Sequence, residues 1–99
     1  MKQTRSDDSR KDAEATLYEA VLSLRDTDEC RAFLADLCTP AELEALVDRW
    51  RVAQLLEEGL PYRRISELTG VSVTTIGRVA RYLTIGNGGY RRVLDRQSK

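Results

Sequence analysis

The stretch Ser72-Val-Thr-Thr-Ile-Gly-Arg-Val-Ala-Arg-Tyr-Leu83 concentrates side chains that can make directed polar contacts. Ile76, Val79, Ala80 and Leu83 recur at the three-to-four spacing of a helix's inner stripe. That leaves Ser72, Thr74, Thr75, Gly77, Arg78, Arg81 and Tyr82 on the outside. Hydroxyls donate to or accept from phosphates and base edges, and an arginine fork fits guanine or a phosphate. Gly77 permits close approach, and the Val73 side chain suits a thymine methyl. Only Glu67 is acidic between Gly59 and Leu83, so little would repel a polyanion. The chemistry on offer is recognition of double-stranded DNA. Bond-making chemistry lacks its parts: the chain has no His, no carboxylate pair in an apolar setting and no glycine-rich phosphate loop after a strand. Neither an enzyme nor a cofactor is expected.

The segment that must position this face runs from Pro61 to Leu83 and has the pattern of a helix-turn-helix. That motif needs a short helix, a tight turn and a second helix able to enter the major groove. Pro61 opens the first helix, and Ile65 and Leu68 are expected on its inner side. Ser66 is small enough for close helix contact. Gly70 stands where the chain must turn sharply, Val71 follows as an apolar plug, and Ser72 is a natural N-cap. The candidate DNA-contacting residues are Arg63, Arg64, Ser66, Ser72, Val73, Thr74, Thr75, Gly77, Arg78 and Arg81. For Arg64 and Arg81 the alternative is a solvated surface arginine.

Every other element also reads as helical, and nothing suggests strands. Ala13, Leu17, Ala20, Val21 and Leu24 form one stripe of a helix over 11–24. Asp26 caps a second helix with Glu29 at the capping-box position. Cys30, Phe33, Leu34 and Leu37 supply its apolar side. Thr39-Pro40-Ala41-Glu42 starts a third with Thr at the N-cap, Pro at the first helical position and Glu at the third. Apolar residues continue from Leu43 to Leu56, over more than one stripe, and Gly59 supplies a left-handed stop. After a glycine-rich loop, residues 90–96 make a closing helix, with Tyr90, Val93 and Leu94 packing back.

The 99 residues suffice for one domain. Residues 1–10 are nearly devoid of apolar side chains and read as a disordered tail. The domain would then divide into a dimerisation core over 11–58, the helix-turn-helix over 59–83, and a loop and closing helix over 84–99. The net charge of zero hides an asymmetry: residues 1–58 hold 8 basic and 14 acidic side chains, residues 59–99 hold 8 basic and 2 acidic. A basic half suits a polyanion. No apolar run approaches the roughly 18 residues of a membrane helix, and the polar start lacks the centre of a secretory signal, so the cytoplasm is expected. Cys30 and Cys38, eight residues apart on one helix, would be about 12 Å apart, too far to pair. Both are read as small apolar residues, and no metal site is expected.

The segments TPAELEALVDRWRVAQLLEEG and GNGGYRRVLDR, on either side of the helix-turn-helix, resemble the Trp repressor superfamily, in particular its YerC/YecD-type group. The resemblance covers roughly Ala13 to Arg96. It implies an all-α fold of six short helices, an intertwined homodimer with a shared core, and one DNA-reading head per half of a two-fold symmetric site. It also implies an effector pocket. Thr39, Arg49 and Arg78 match the threonine and two arginines that tryptophan-binding members place around their ligand. However, Val79 stands where those members have glycine, and Tyr82 where they have serine. The branched Val79 is expected to act as a wedge that sets the head without free tryptophan. For Arg49 the alternative is a surface salt bridge. A different reading of the whole chain is a helical dimeric interaction module that binds protein instead of DNA.

Overall fold

The computed structural model describes residues 7–98 as six α-helices with no strand among them. They are α1 (Asp7–Leu22), α2 (Thr27–Leu37), α3 (Pro40–Glu57), α4 (Tyr62–Thr69), α5 (Val73–Ile85) and α6 (Gly89–Gln97). The chain divides into two compact units, one holding α1 and α2, the other holding α3 to α6. Contacts within the chain therefore group α3 with the helix-turn-helix, whereas the sequence division places it in a dimerisation core ending at residue 58.

α1 starts four residues ahead of the expected Lys11. Residues 7–10 of the anticipated tail are thus its first turn, where acidic side chains such as Asp8 suit the positive end of the helix dipole. Residues 1–6 of that tail, and Lys99, lie outside the described residues. α2 is capped as its sequence requires. The Asp26 carboxylate accepts from the Glu29 backbone N–H at 2.8 Å, and Glu29 in turn accepts from the Arg25 N–H at 2.9 Å. In the expected capping box Glu29 would reach the N–H of Asp26 itself. No described residue of α1 or α2 is buried in the single chain. Their apolar stripes are only partly covered, with Val21 at 45% and Leu37 at 53% exposure, and Leu22, outside the stripe, stands open at 83%. Cys30 and Cys38 are free and half-buried.

α3 ends in a Schellman motif. Gly59 adopts φ +89°, its N–H bonds to the Leu56 carbonyl at 2.9 Å, and the Leu60 N–H reaches back to Leu55 at 3.3 Å. This reversal lets Leu60 pack on the core and delivers the chain to α4. Pro61 takes the N-cap of α4, one residue earlier than a first-turn proline, because its ψ of 154° is extended. The core then joins three helices and a turn: Val52 and Ala53 of α3, Ile65 of α4, Val71 of the turn, and Ile76 and Val79 of α5. Burying an aliphatic side chain of this size stabilises by roughly 1.5–3 kcal/mol. These six residues therefore fix α4 and α5 against the C-terminal half of α3.

Leu68 departs from expectation. It is 42% exposed, while Thr69 is half-buried and donates its hydroxyl to the Ile65 carbonyl at 2.7 Å. The inner side of α4 continues from Ile65 to Thr69 at a spacing of four, and Leu68 falls on the other side of that line.

Candidate nucleic-acid interface

The turn between α4 and α5 is built from local hydrogen bonds. Gly70 adopts φ +77°, where a side chain would be strained, and donates its N–H to the Ser66 carbonyl at 2.8 Å. The Thr69 hydroxyl oxygen accepts from the Val71 N–H at 3.1 Å, which seats Val71 in the core. Ser72 caps α5: its Oγ accepts from the Thr75 N–H at 3.2 Å and its hydroxyl donates to Thr75 Oγ1 at 3.1 Å. The start of α5 is thus fixed by the chain's own hydrogen bonds.

Along α5 the inner and outer faces separate as the spacing requires. Ile76 and Val79 are buried, and Ala80 and Leu83 are half-buried. Thr74, Gly77, Arg78, Arg81 and Tyr82 together line a shallow concavity of about 370 Å³. They stand at i, i+3, i+4, i+7 and i+8, so they form one face. Ser72, Val73, Thr74, Arg78 and Arg81 are all exposed. Val73, at 54% exposure, offers an apolar contact at the tip. Thr75 departs from this set: it is half-buried, its hydroxyl is engaged by Ser72, and it turns toward a second cavity described below. Gly77 is half-buried near Tyr62; a Cβ there would stand 3.9 Å from Tyr62 Cε2.

The basic residues are not equivalent. Arg64 Nη1 lies 3.4 Å from Glu67 Oε1, with both side chains well exposed. Arg91 bridges Glu57 of α3 at 2.5 Å and Asp95 at 3.0 Å, tying α6 to α3. Hydrogen bonds first to Glu57 and then to Asp95 hold the Arg91 pKa above its ordinary value. Among the described residues no carboxylate pairs with Arg63, Arg78, Arg81, Arg92 or Arg96. These five stay available to an external anion. Ser66 is half-buried and serves the turn through its carbonyl.

A larger cleft of about 840 Å³ opens between α3, α5 and α6. Arg49 and Trp50 of α3, Thr75, Arg78, Val79 and Tyr82 of α5, and Asn87, Gly89, Tyr90 and Val93 line it. Arg49, Arg78, Val79 and Tyr82 of the candidate effector set are therefore gathered here. Thr39 belongs to the other unit. Arg49 is half-buried and makes no ion pair with a described residue, Asp48 included. The space is open, and Val79 and Tyr82 line it without closing it. Trp50, Asn87 and Tyr90 carry no functional reading from the sequence. The chain's single tryptophan directly after Arg49 was the available signal, but its apolar spacing on α3 reads equally as core.

A protein-family model described as Trp repressor protein matches residues 14–98. The chain belongs to the Trp repressor family. At family level this makes it a DNA-binding regulator. YerC of Bacillus subtilis is 46% identical over 80 residues, covering 81% of this chain and 77% of YerC. A TrpR-like protein from Eubacterium eligens superposes with a TM-score of 0.84 at 45% identity, covering 88% of this chain and 90% of that one. A candidate Trp repressor from Staphylococcus aureus gives 0.83 at 40% identity, covering 87% and 86%. The all-α Trp-repressor-like fold is thereby established. No described helix is long and apolar enough to cross a membrane.

Proposed function

We propose that this chain is a sequence-specific transcriptional regulator, a repressor, that binds a two-fold symmetric operator as a homodimer in the cytoplasm. The observation that carries this reading is the outer face of α5. It joins Thr74, Gly77, Arg78 and Arg81 in one concavity without a single acidic residue, and its arginines have no carboxylate partner among the described residues. Unpaired arginines on a capped helix are suited to base edges and phosphates. Arg63 on α4 and Arg92 and Arg96 on α6 are further candidates for phosphate contact.

The head works without free tryptophan. Val79 is 2% exposed and packs with Val52 and Ala53 of α3, so the chain's own core holds the reading helix in place. An effector that had to lever α5 outward would work against that packing.

A second copy of the chain explains the apolar residues left open on α1, on α2 and on α3, where Val47 is 57% exposed. The competing reading, an interaction module that binds protein instead of DNA, draws on the same exposed residues. A dimeric mass in solution assigns them to self-association, and a monomeric mass leaves them to another partner. The function itself is tested by titrating a palindromic duplex, selected from a random library, at several salt concentrations. The account expects affinity to fall linearly on logarithmic axes as phosphate contacts release counterions. Absence of any preferred duplex overturns it.

A further inference from the structure

Arg78 stands apart from the other constrained arginines in how it is held. Arg64 and Arg91 are held by carboxylates, which restrain the guanidinium but neutralise it. Arg78 is held by an aromatic ring: its Cζ lies 5.6 Å from the centroid of the Tyr82 ring, one helical turn further along α5. A ring face attracts a cation through its quadrupole and leaves the positive charge intact. Tyr82 is 44% exposed, so the contact lies at the surface where a polyanion could reach it.

Arg78 also has two places to go. It lines both the outer concavity, with Thr74 and Gly77, and the large cleft, with Arg49. The cleft lining holds two arginines and no acidic residue, so a guanidinium turned inward meets a like charge without compensation. Tyr82 lines both cavities and stands at their shared rim.

We infer that Tyr82 is a positioning residue for DNA recognition, whose ring holds the Arg78 guanidinium charged and oriented at the rim of the reading face. The inference rests on the DNA-binding reading of α5. It assigns to a side chain of this protein the ordering of an arginine that would otherwise be lost to rotamer freedom.

The experiment is a double-mutant cycle on the selected duplex, with melting by circular dichroism as the folding control. Tyr82→Leu is expected to weaken binding about two- to five-fold, the range for an exposed cation–π contact. In an Arg78→Ala background the same change should add nothing, and Tyr82→Phe, which keeps the ring, should restore binding. Tyr82→Met serves where the leucine variant melts early. Equal losses in both backgrounds, no loss at all, or failure of phenylalanine to rescue would overturn the proposal. A measurement without DNA separates this outcome from failure of the underlying reading. The Arg78 Nε–H resonance should be moved upfield by the ring in the wild type and lose that shift in Tyr82→Leu. A wild-type protein that shows the shift but prefers no duplex refutes DNA recognition, and a missing shift refutes the positioning contact itself.

Discussion

Trp50 and Tyr90 stack with their ring planes 6° apart and their centroids 6.5 Å apart. The pair joins α3 to α6 along the wall of the large cleft, and the Arg91–Glu57 ion pair joins the same two helices. With Ile76 and Val79 in one core with Val52 and Ala53, the helix-turn-helix is fixed to α3 through both α5 and α6. The geometry of these helices is thus set by the chain's own packing.

Tyr90→Ala should therefore loosen α6. An aromatic pair contributes about 0.5–1.5 kcal/mol beyond its buried area, so a total loss of about 1–3 kcal/mol is expected once the partial burial of Tyr90 is included. Trp50 is the only tryptophan, so its fluorescence reports the change directly. Urea unfolding should shift to lower concentration, with the native emission displaced to longer wavelength. Unchanged emission would mean that the stack does not persist in solution.

Free tryptophan should give no saturable heat at micromolar concentrations when titrated calorimetrically into the protein. Its addition should also leave DNA affinity unchanged, because Val79 is already part of the core that holds α5. Micromolar binding, or an affinity that rises with added tryptophan, would restore the ligand switch to this chain.

Two glycines should respond with opposite sign. A Cβ at Gly77 would make only ordinary contact, 3.9 Å from the Tyr62 ring. Gly77→Ala is thus expected to stabilise α5 by about 0.5–1 kcal/mol. It should also weaken DNA binding if the helix approaches the groove closely there. A Cβ at Gly86 would collide with the Tyr82 carbonyl, the acceptor of the Gly86 N–H that closes α5. Gly86→Ala should cost about 1–3 kcal/mol. Thermal melts of the two variants check both signs.

Much of the fold was legible because α2 to α5 each carry their own start or stop. Asp26, Ser72, Gly59 and Gly70 all act locally, and the structure uses them as the sequence implies. The inner stripe of α5 was equally plain, since Ile76 and Val79 alternate with hydroxyls and arginines. Leu68 was misplaced because α4 has only 8 residues, too few for a spacing of three to be told from a spacing of four. Thr75 was counted as outward because spacing alone cannot reveal that Ser72 engages its hydroxyl. The aromatic wall of the cleft escaped notice for another reason. Trp50 and Tyr90 are forty residues apart in the chain, and only the packing of α6 on α3 brings their rings together. The start of α1 was obscured because acidic residues read as tail when no apolar stripe accompanies them.

The central claim, that α5 reads DNA sequence, is tested most directly by replacing Thr74 and Arg78 together with alanine. Binding to the selected duplex should then be compared with binding to a scrambled duplex at one salt concentration. Each lost base contact should cost about 1–3 kcal/mol on the selected site, with a much smaller loss on the scrambled one. A double variant that binds the selected duplex as tightly as the wild type would contradict the assignment of α5 as the reading helix.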